Sequence, residues 1–197
     1  MIITLESFRK GQLKLPNAFV SPNGADSTND IQAYIDRFER EILILGLGPT
    51  LYNLIKAEYT GTVLNPEASQ RLKNLINGET YESNGMEVTW EGLVSFPAYY
   101  IFYKYWSDFD HIKRDNDETI DDAPKAVRAY QEFYEKYQGT DPGPRYAVNA
   151  FGSYGLDWYG SRNVNRSLYQ YLQDKQEIYP EARFSPIQTG NMNTMGI

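Results

Sequence analysis

The acidic run from Asp108 to Asp122 is the part of this sequence whose residue types and spacing come nearest to a chemical site. Its carboxylates are Asp108, Asp110, Asp115, Asp117, Glu118, Asp121 and Asp122. Alternating oxygen ligands suit Ca²⁺, but an EF-hand loop begun at Asp115 puts Ile120 where Gly is required and Ala126 where the bidentate Glu belongs. We therefore interpret the run as a solvated acidic loop, which could repel wrong partners or meet a basic strip on a neighbouring chain.

Other residues that usually carry chemistry are scarce. His111, the single His, lies in the acidic run and no local motif marks a Ser nucleophile, so we interpret it as a surface residue. The absence of Cys removes disulfides and thiolate sites and is compatible with a reducing cytoplasm. The Gly46 to Pro49 stretch follows a helix and lacks the Lys-Ser/Thr of a phosphate loop, which favours a helix C-cap. We predict no catalytic residue, cofactor or metal, and thus a protein that is not an enzyme.

Tyrosine is the unusual component, with 17 copies in 197 residues. It supplies rigid amphipathic contact area and is enriched at protein interfaces. Two aromatic groups could instead stack on sugars: Tyr99, Tyr100, Tyr103, Tyr105 and Trp106 in one, and Tyr154, Trp158 and Tyr159 in the other. Core packing of the first group and loop anchoring of the second are the favoured interpretations, and sugar binding stays as an alternative.

Size and charge limit the classes of protein to which this chain can belong. A chain of 197 residues favours one domain with a core of its own. A net charge of −7 disfavours a general nucleic-acid binder, which needs clustered Lys and Arg, although a local basic strip is compatible with it. No window is apolar enough to span a bilayer and the N-terminus is unlike a signal peptide, so we expect no membrane partner.

Hydrophobic spacing predicts a series of helices. An apolar stripe from Asn29 stops at Gly46 to Pro49, and Pro49 suits the first position of a short second helix. A third helix is predicted from Asn65-Pro66 to Gly78, and the three should pack together. Further helices are predicted at 91–108, from Ala123-Pro124 to Gly139, and from near Asn163 to a point before Pro180. The 91–108 helix is apolar nearly all round, as expected of a central helix or one that meets a partner; Pro97 should kink it or mark its start.

Asn84-Gly85 between alternating segments predicts a β-hairpin at about 80–90. A two-stranded ribbon is marginal alone, so it should lean on the helices or extend the sheet of a neighbour. The predicted fold is mainly α, a compact bundle of about six helices with this one hairpin and extended N- and C-terminal arms.

Three regions follow from this pattern: an extended arm at 1–28, a helical domain with the hairpin at 29–180, and an extended tail at 181–197. The two ends carry apolar residues without helical period, so we expect them to bury little against their own domain and to be ordered by a partner. Disorder is the other interpretation. The hairpin favours assembly.

The order of these features resembles a known family. The features are the helix ending Glu41–Gly48, the Leu51-Tyr52 helix, the Asn77 to Leu93 hairpin junction, the aromatic Tyr99–Tyr103 helix and the Asn191–Ile197 ending. Together they resemble the small helical head–tail connector (adaptor or ring) proteins of tailed bacteriophages, particularly those that infect Bacteroidetes, including crAss-like phages. The resemblance runs over most of the chain, and its motifs are packing signatures, not a catalytic fingerprint.

The resemblance implies a structural virion protein that forms a ring in the phage neck, joins the portal to the tail and lines the DNA exit channel. Its partners would be copies of itself in a cyclic, commonly twelvefold ring, the portal protein, downstream tail or ring proteins, and passing genomic DNA without sequence-specific binding. It would act at the head–tail interface of the virion after assembly in the bacterial host cytoplasm. Net acidity suits a conduit that must not hold DNA. The acidic 108–122 insert departs from the family, with no known role to match.

Residues of the hairpin and of the C-terminal tail are the predicted contacts in such an assembly: Tyr81, Met86, Val88, Trp90, Phe184, Ile187, Met192, Met195 and Ile197. The hairpin would reach a neighbour or the next tail component, and the termini would lace onto the portal. Two alternatives remain: a carbohydrate-binding or carbohydrate-active protein that uses exposed aromatics, and a small bacterial regulatory or interaction domain that forms no ring.

Overall fold

The fold consists of helices around one aromatic core, with short strands at one side. The computed structural model describes residues 2–9, 13–15, 27–113, 123–139 and 165–187. Within these residues the helices are α1 (Ser27–Leu47), α2 (Pro49–Ala57), α3 (Gln70–Asn77), α4 (Ser95–Lys113), α5 (Ala123–Tyr137) and α6 (Leu168–Asp174). The strands are β1 (Tyr59–Thr60), β2 (Val63–Leu64), β3 (Glu79–Ser83), β4 (Met86–Trp90) and β5 (Asn165–Arg166), and a 3₁₀ turn spans Leu5–Phe8.

Helix α4 lies at the centre, because its aromatic residues are covered from two sides. The Tyr100 ring lies 4.9 Å from Phe133 of α5 and 6.0 Å from Phe38 of α1, measured between centroids. The other ring pairs that join these helices are Tyr34 with Tyr105, Tyr103 with Tyr130, and Phe96 with Tyr137. Since late residues of α4 meet early residues of α1 and α5, both neighbours run antiparallel to α4. The predicted central helix is confirmed.

Proline and glycine set the helix boundaries as the sequence predicts. Pro97 is the third residue of α4 and so lies in its first turn, where the missing N–H costs no helical hydrogen bond. Helix α1 ends at Leu47, Gly48 follows with a φ of 80°, and Pro49 opens α2. Gly46 allows close packing instead, because a Cβ there would lie 2.7 Å from the Leu168 side chain. The helix-end interpretation of this stretch is confirmed.

The predicted hairpin is present as β3 and β4, paired antiparallel from Glu79 opposite Trp90 to Ser83 opposite Met86. Its turn residues Asn84 and Gly85 have φ values of 52° and 75°, the left-handed backbone that a two-residue hairpin turn requires. Strand β5 adds a parallel pairing to β4, which gives the strand order β3-β4-β5. The sequence did not predict β5, because two residues are too few to show a strand pattern.

The stretch between α2 and α3 differs from the prediction of one long third helix. Strands β1 and β2 form a second, very short antiparallel ladder. Asn65 then closes it, since its backbone N–H donates to the Glu58 oxygen at 2.8 Å and its side-chain oxygen accepts from the Glu67 N–H at 2.9 Å. This Asx turn delays the helix until Gln70, so the predicted start at Asn65-Pro66 is wrong.

The predicted class, a mainly α bundle of about six helices with a hairpin near 80–90 and extended terminal segments, is confirmed. Boundaries shifted by a few residues: α1 begins at Ser27 instead of Asn29, and the last helix begins at Leu168 instead of near Asn163. Ile178, expected on that last helix, lies beyond its end and is exposed. The three regions 1–28, 29–180 and 181–197 stay a prediction.

Substituting Gly78 should measure how closely the base of the hairpin packs. Gly78 has a φ of 92°, and a Cβ there would overlap the carbonyl oxygen of Trp90. We expect Gly78→Ala to lower the free energy of unfolding by about 3 kcal/mol, from left-handed strain together with the overlap. Gly61→Ala is the matched control, because it has a φ of 66° and its added methyl meets no atom within 4 Å. Urea denaturation that gives equal losses for the two variants would contradict the close approach.

Candidate interaction surfaces

The inner face of the hairpin is held by an aromatic stack. Trp90 is buried, donates its indole N–H to the Leu75 backbone oxygen at 2.8 Å, and lies parallel to the Tyr171 ring at a centroid distance of 5.1 Å. The Tyr81 ring meets Tyr171 edge-on at 5.6 Å. Offset and edge-on aromatic pairs add stability beyond the area they bury. The hairpin is therefore fixed to α3 and α6.

The buried hydroxyl group of Tyr171 adds hydrogen bonds to this aromatic contact. The Tyr171 hydroxyl donates to a Glu79 carboxylate oxygen at 2.7 Å. The Tyr179 hydroxyl lies 3.0 Å from that of Tyr171 and 2.6 Å from the backbone oxygen of Arg71. Burial first, and then the hydrogen bonds with Tyr179 and Glu79, raise the pKa of Tyr171 far above its usual value. Tyr171 thus stays a protonated donor that ties α6 to the first residue of β3.

Charged residues of β5 and of the end of α6 surround the Tyr81 side chain at the edge of this contact. The Tyr81 hydroxyl donates to Asp174 at 2.9 Å, and the Arg166 Nε lies 3.2 Å from the same carboxylate oxygen. The Lys175 ammonium lies 4.2 Å above the Tyr81 ring and 3.3 Å from Glu79. Burial, followed by the Asp174 hydrogen bond and charge, raises the pKa of Tyr81. These contacts restrain the hairpin relative to α6.

The predicted hairpin contacts divide into two groups. Val88 and Trp90 are buried, so their side chains stabilise the fold and have no surface to offer a partner. Tyr81 is half-buried with its hydroxyl bonded to Asp174. Met86, beside the Asn84-Gly85 turn, is 37% exposed. Of these four residues, Met86 is the one that a partner can reach readily.

A buried carboxylate holds the N-terminal arm. The two carboxylate oxygens of Glu39 accept the backbone N–H groups of Ile2 at 3.1 Å and Ile3 at 2.8 Å. Burial raises the pKa of Glu39 above its usual 4.5, and the two backbone donors partly offset that effect. Ile3, Phe8 and Leu15 then enter the main core. The described part of the arm is thus ordered by its own domain, which contradicts our expectation that it buries little there.

The first part of the C-terminal tail is also docked on its own domain. The Arg183 and Ser185 N–H groups donate at 2.9 Å to the Leu47 and Leu45 oxygens, which a helix end leaves without helical partners. The Phe184 ring packs on Tyr137 at 4.7 Å, so this predicted contact residue faces its own core. Ile187, also half-buried, donates its N–H to Gln138 at 2.9 Å. The tail residues Met192, Met195 and Ile197 lie outside the described residues.

The aromatic residues considered for sugar binding are mostly core residues. Tyr100 and Trp106 are buried, while Tyr99, Tyr103 and Tyr105 are half-buried and pack against the core. This supports the packing interpretation of the first group. Residues Tyr154, Trp158 and Tyr159 lie outside the described part of the chain.

The described residues contain no group of three or more His, Cys, Asp or Glu side chains that could hold a metal. None of the helices in the described ranges combines the length and hydropathy needed to cross a bilayer. The side chains of 108–122, and so the failed calcium motif and His111, lie outside the described residues.

Two important side chains were missed by sequence reasoning. Glu39 sits between Phe38 and Ile42 on the buried stripe of α1, and a carboxylate in an apolar stripe was the available signal. Tyr171 lies within the predicted last helix, but nothing local shows that its hydroxyl would meet Glu79, 92 positions away. Partners at that separation come from tertiary packing alone.

Removing the Glu39 charge should loosen the arm. We expect Glu39→Gln to lower the free energy of unfolding by about 2 kcal/mol at pH 7, because one of two buried backbone donors loses its acceptor. The control is Glu41→Gln, at an exposed carboxylate that accepts one hydrogen bond from Tyr100. Hydrogen exchange should rise at residues 2–9 in Glu39→Gln alone; equal protection in both variants would contradict the role of Glu39.

The raised pKa of Glu39 predicts that its contribution to the free energy of unfolding depends on pH. A carboxyl whose folded pKa is raised takes up a proton on folding, so its contribution to stability grows as the pH falls. The stability of the wild type relative to Glu39→Gln should therefore increase as the pH falls from 7 through the raised pKa, and level off below 4.5. Thermal denaturation of both proteins across this range measures the difference, and a constant difference would contradict the raised pKa.

Tyr171→Phe tests the buried hydroxyl. Removing it leaves the Glu79 carboxylate without its 2.7 Å donor, so we expect a loss of about 1 to 2 kcal/mol in the free energy of unfolding. Tyr169→Phe is the control, because that side chain is 37% exposed and lies on the same helix. If Tyr169→Phe costs as much in chemical denaturation, the effect does not come from burial of the polar group.

No protein-family model, curated protein or solved structure matches this chain. Functional inference therefore depends on the sequence resemblance and on the surfaces of the molecule itself.

Proposed function

We propose that this protein is a non-enzymatic ring subunit of a tailed bacteriophage, which joins the portal to the tail at the head–tail interface. The observation that carries the proposal is the braced hairpin. Its inner face is fixed by Trp90 and Tyr171, while Met86 at its turn is exposed. A rigid hairpin with an exposed apolar residue beside its turn can bind a partner without losing much conformational freedom.

A closed ring of identical subunits needs two different surfaces on each copy, since one side of a subunit contacts the opposite side of the next. Apolar residues are exposed on separate elements of this chain. They include Leu54 on α2 and Val63 on β2, which is 66% exposed, in addition to Met86 on β4. These side chains are the candidate contacts for the two sides of a subunit in such a ring.

The anchoring of the C-terminal segment supports a second contact. The segment 183–187 is fixed along the end of α1, so the ten residues that follow start from a defined point on the bundle. Met192, Met195 and Ile197 in that stretch supply apolar side chains for an extended contact. A tail of this kind suits lacing onto the portal.

Co-assembly with the portal protein encoded by the same phage genome tests the proposal. We expect native mass spectrometry to detect a closed ring of this chain on the portal. Met86→Asp should reduce the number of bound copies at least tenfold while thermal stability stays near that of the wild type, because the side chain is exposed and a buried charge at an interface is costly. The control is Val127→Asp, at an exposed position on α5.

Deleting residues 190–197 should likewise leave the monomer folded but impair docking to the portal. Unchanged co-assembly of this variant would contradict the lacing role. Absence of any complex with the portal, combined with binding to a glycan array, would replace the connector proposal by the carbohydrate alternative.

A further inference from the structure

Two carboxylates lie directly opposite each other on the outer face of the hairpin. The register of β3 and β4 pairs Glu82 with Glu87, next to the Asn84-Gly85 turn, and both side chains are exposed. Directly opposite residues of an antiparallel pair have Cβ atoms about 5 Å apart, so like charges at such positions destabilise the strand pairing. A cation bound between the two carboxylates would remove this cost.

The described residues supply no cation to this pair. Lys175 and Arg166 lie at the inner face of the hairpin, where they form ion pairs with Glu79 and Asp174. The two outer carboxylates face away from them, because successive side chains of a strand point to opposite faces. A Cβ added at Gly85 would meet no atom within 4 Å, so the described residues leave the turn open. We call residues 82–87 the hairpin tip.

A groove at the C-terminal end of α1 has the opposite charge. Three exposed arginines line it: Arg37, Arg40 and Arg183. Its apolar floor comes from Ile44, Leu45 and Pro49, and its volume is about 470 Å³. We call this set of residues the arginine groove.

None of the three arginines forms an ion pair within the described ranges. Arg183 donates one nitrogen to the backbone oxygens of Pro180 and Ala182, which positions its guanidinium without neutralising it. Among the described residues of the lining, Glu41 is the one acid, and its carboxylate accepts the Tyr100 hydroxyl at 3.2 Å. The arginine groove therefore has an excess of positive charge, on a chain that is acidic overall.

We propose that the hairpin tip of one copy docks in the arginine groove of the next. Glu82 and Glu87 pair with Arg37 and Arg40, and each surface neutralises the charge that the other leaves unpaired. Met86, beside the turn and 37% exposed, packs on the apolar floor. A groove contacts both faces of an inserted hairpin, so the carboxylates and the Met side chain are covered together.

The contact joins two copies, because the two surfaces do not meet within one. The hydrogen bonds of Trp90 and Tyr81 fix the hairpin to α3 and α6, and no ion pair of the described residues joins its tip to the groove. Two different surfaces on each subunit give a head-to-tail contact, which closes a ring when the rotation between copies permits. The inference rests on the proposed function and names the contact between its subunits.

Nucleic-acid phosphates are other anions that an arginine-lined groove could bind. The lining carboxylate Glu41 and the net charge of −7 disfavour them, since nucleic-acid sites concentrate Lys and Arg on a basic face. Phosphates would also leave the repulsion between Glu82 and Glu87 without a cation. A second copy accounts for both charged surfaces and is therefore the better occupant.

Exchanging the charges of the two surfaces tests the docking. One variant reverses the groove (Arg37→Glu with Arg40→Glu), and another reverses the tip (Glu82→Lys with Glu87→Lys). Each should self-associate roughly tenfold more weakly than the wild type in sedimentation velocity at low salt, because like charges then face each other. A chain that carries all four substitutions should regain association, since its groove and tip are complementary again.

Two control variants separate the contact from the effect of net charge. Lys14→Glu with Arg128→Glu, and Glu132→Lys with Glu135→Lys, make the same changes of charge at exposed positions outside both surfaces. Both controls should associate like the wild type. Thermal unfolding checks that every variant is folded, and the tip reversal should leave it unchanged, because the hairpin keeps a like-charge pair. If the groove reversal destabilises α1, Arg37→Gln with Arg40→Gln replaces it and should also weaken association.

The docking is overturned if the wild type does not self-associate or if the folded chain with all four substitutions does not recover. It is also overturned if the tip-reversed variant associates normally, which would assign the groove to other carboxylates, such as those of the acidic run. Groove reversal that abolishes binding to duplex DNA and leaves self-association unchanged would assign the groove to nucleic acid instead.

Failure of the docking and failure of the proposed function have different signatures. If the tip-reversed variant still forms complete rings on the portal, the connector role stands and the docking is wrong. If the wild type and the chain with all four substitutions associate but neither binds the portal, the docking stands and the connector role is wrong.

Discussion

The whole structure depends on one constraint: a helix that is apolar and aromatic on nearly every side must be covered on nearly every side. Helix α4 places Tyr100, Ile101 and Phe102 in the core at consecutive positions, which no single neighbouring helix can cover. Helices α1 and α5 therefore pack against it from different directions through ring contacts. The N-terminal arm completes the cover with Phe8, and Glu39 of α1 holds the start of that arm in place. The packing around α4 thus fixes where α1, α5 and the described part of the N-terminal arm lie.

The hairpin depends on this bundle indirectly, through α6. Two strands joined by a two-residue turn are marginal in water. Here the Trp90 and Tyr171 rings are stacked, and Glu79, at the start of β3, accepts the Tyr171 hydroxyl. The same carboxylate also accepts the Asn74 amide and lies 3.3 Å from the Lys175 ammonium, so this hydrogen bond belongs to a partly desolvated network in which each bond is stronger than it would be in water. A short ribbon consequently becomes a rigid part of the surface.

Local sequence patterns predicted much of the fold, and the errors have physical causes. The stripe of α1, the Asn84-Gly85 turn and the all-round apolar character of α4 are short-range signals, and the elements that they predict are present. The Asx turn at Asn65 delayed α3, because a side-chain hydrogen bond competed with the helix. Sites were harder to predict than elements. Trp90 and Val88 seemed suited to an interface by residue type, yet both are buried, and the Trp90 ring stacks on Tyr171 of α6. Arg183 lines one groove together with Arg37 and Arg40 of α1, and a groove formed by residues so far apart in sequence leaves no local pattern.

The docking of residues 183–187 along α1 has a mechanical consequence. Two backbone hydrogen bonds to the last turn of α1, together with the 2.7 Å bond from the Tyr137 hydroxyl to the Ser185 oxygen, fasten the chain just before its final residues. Tension applied to the tail would load these bonds and the Phe184 side chain together before it reached α6, because the anchor lies between the two. A pull on the C-terminus is thus transmitted to the long helices α1 and α5, and the short helix that follows β5 is shielded from the force.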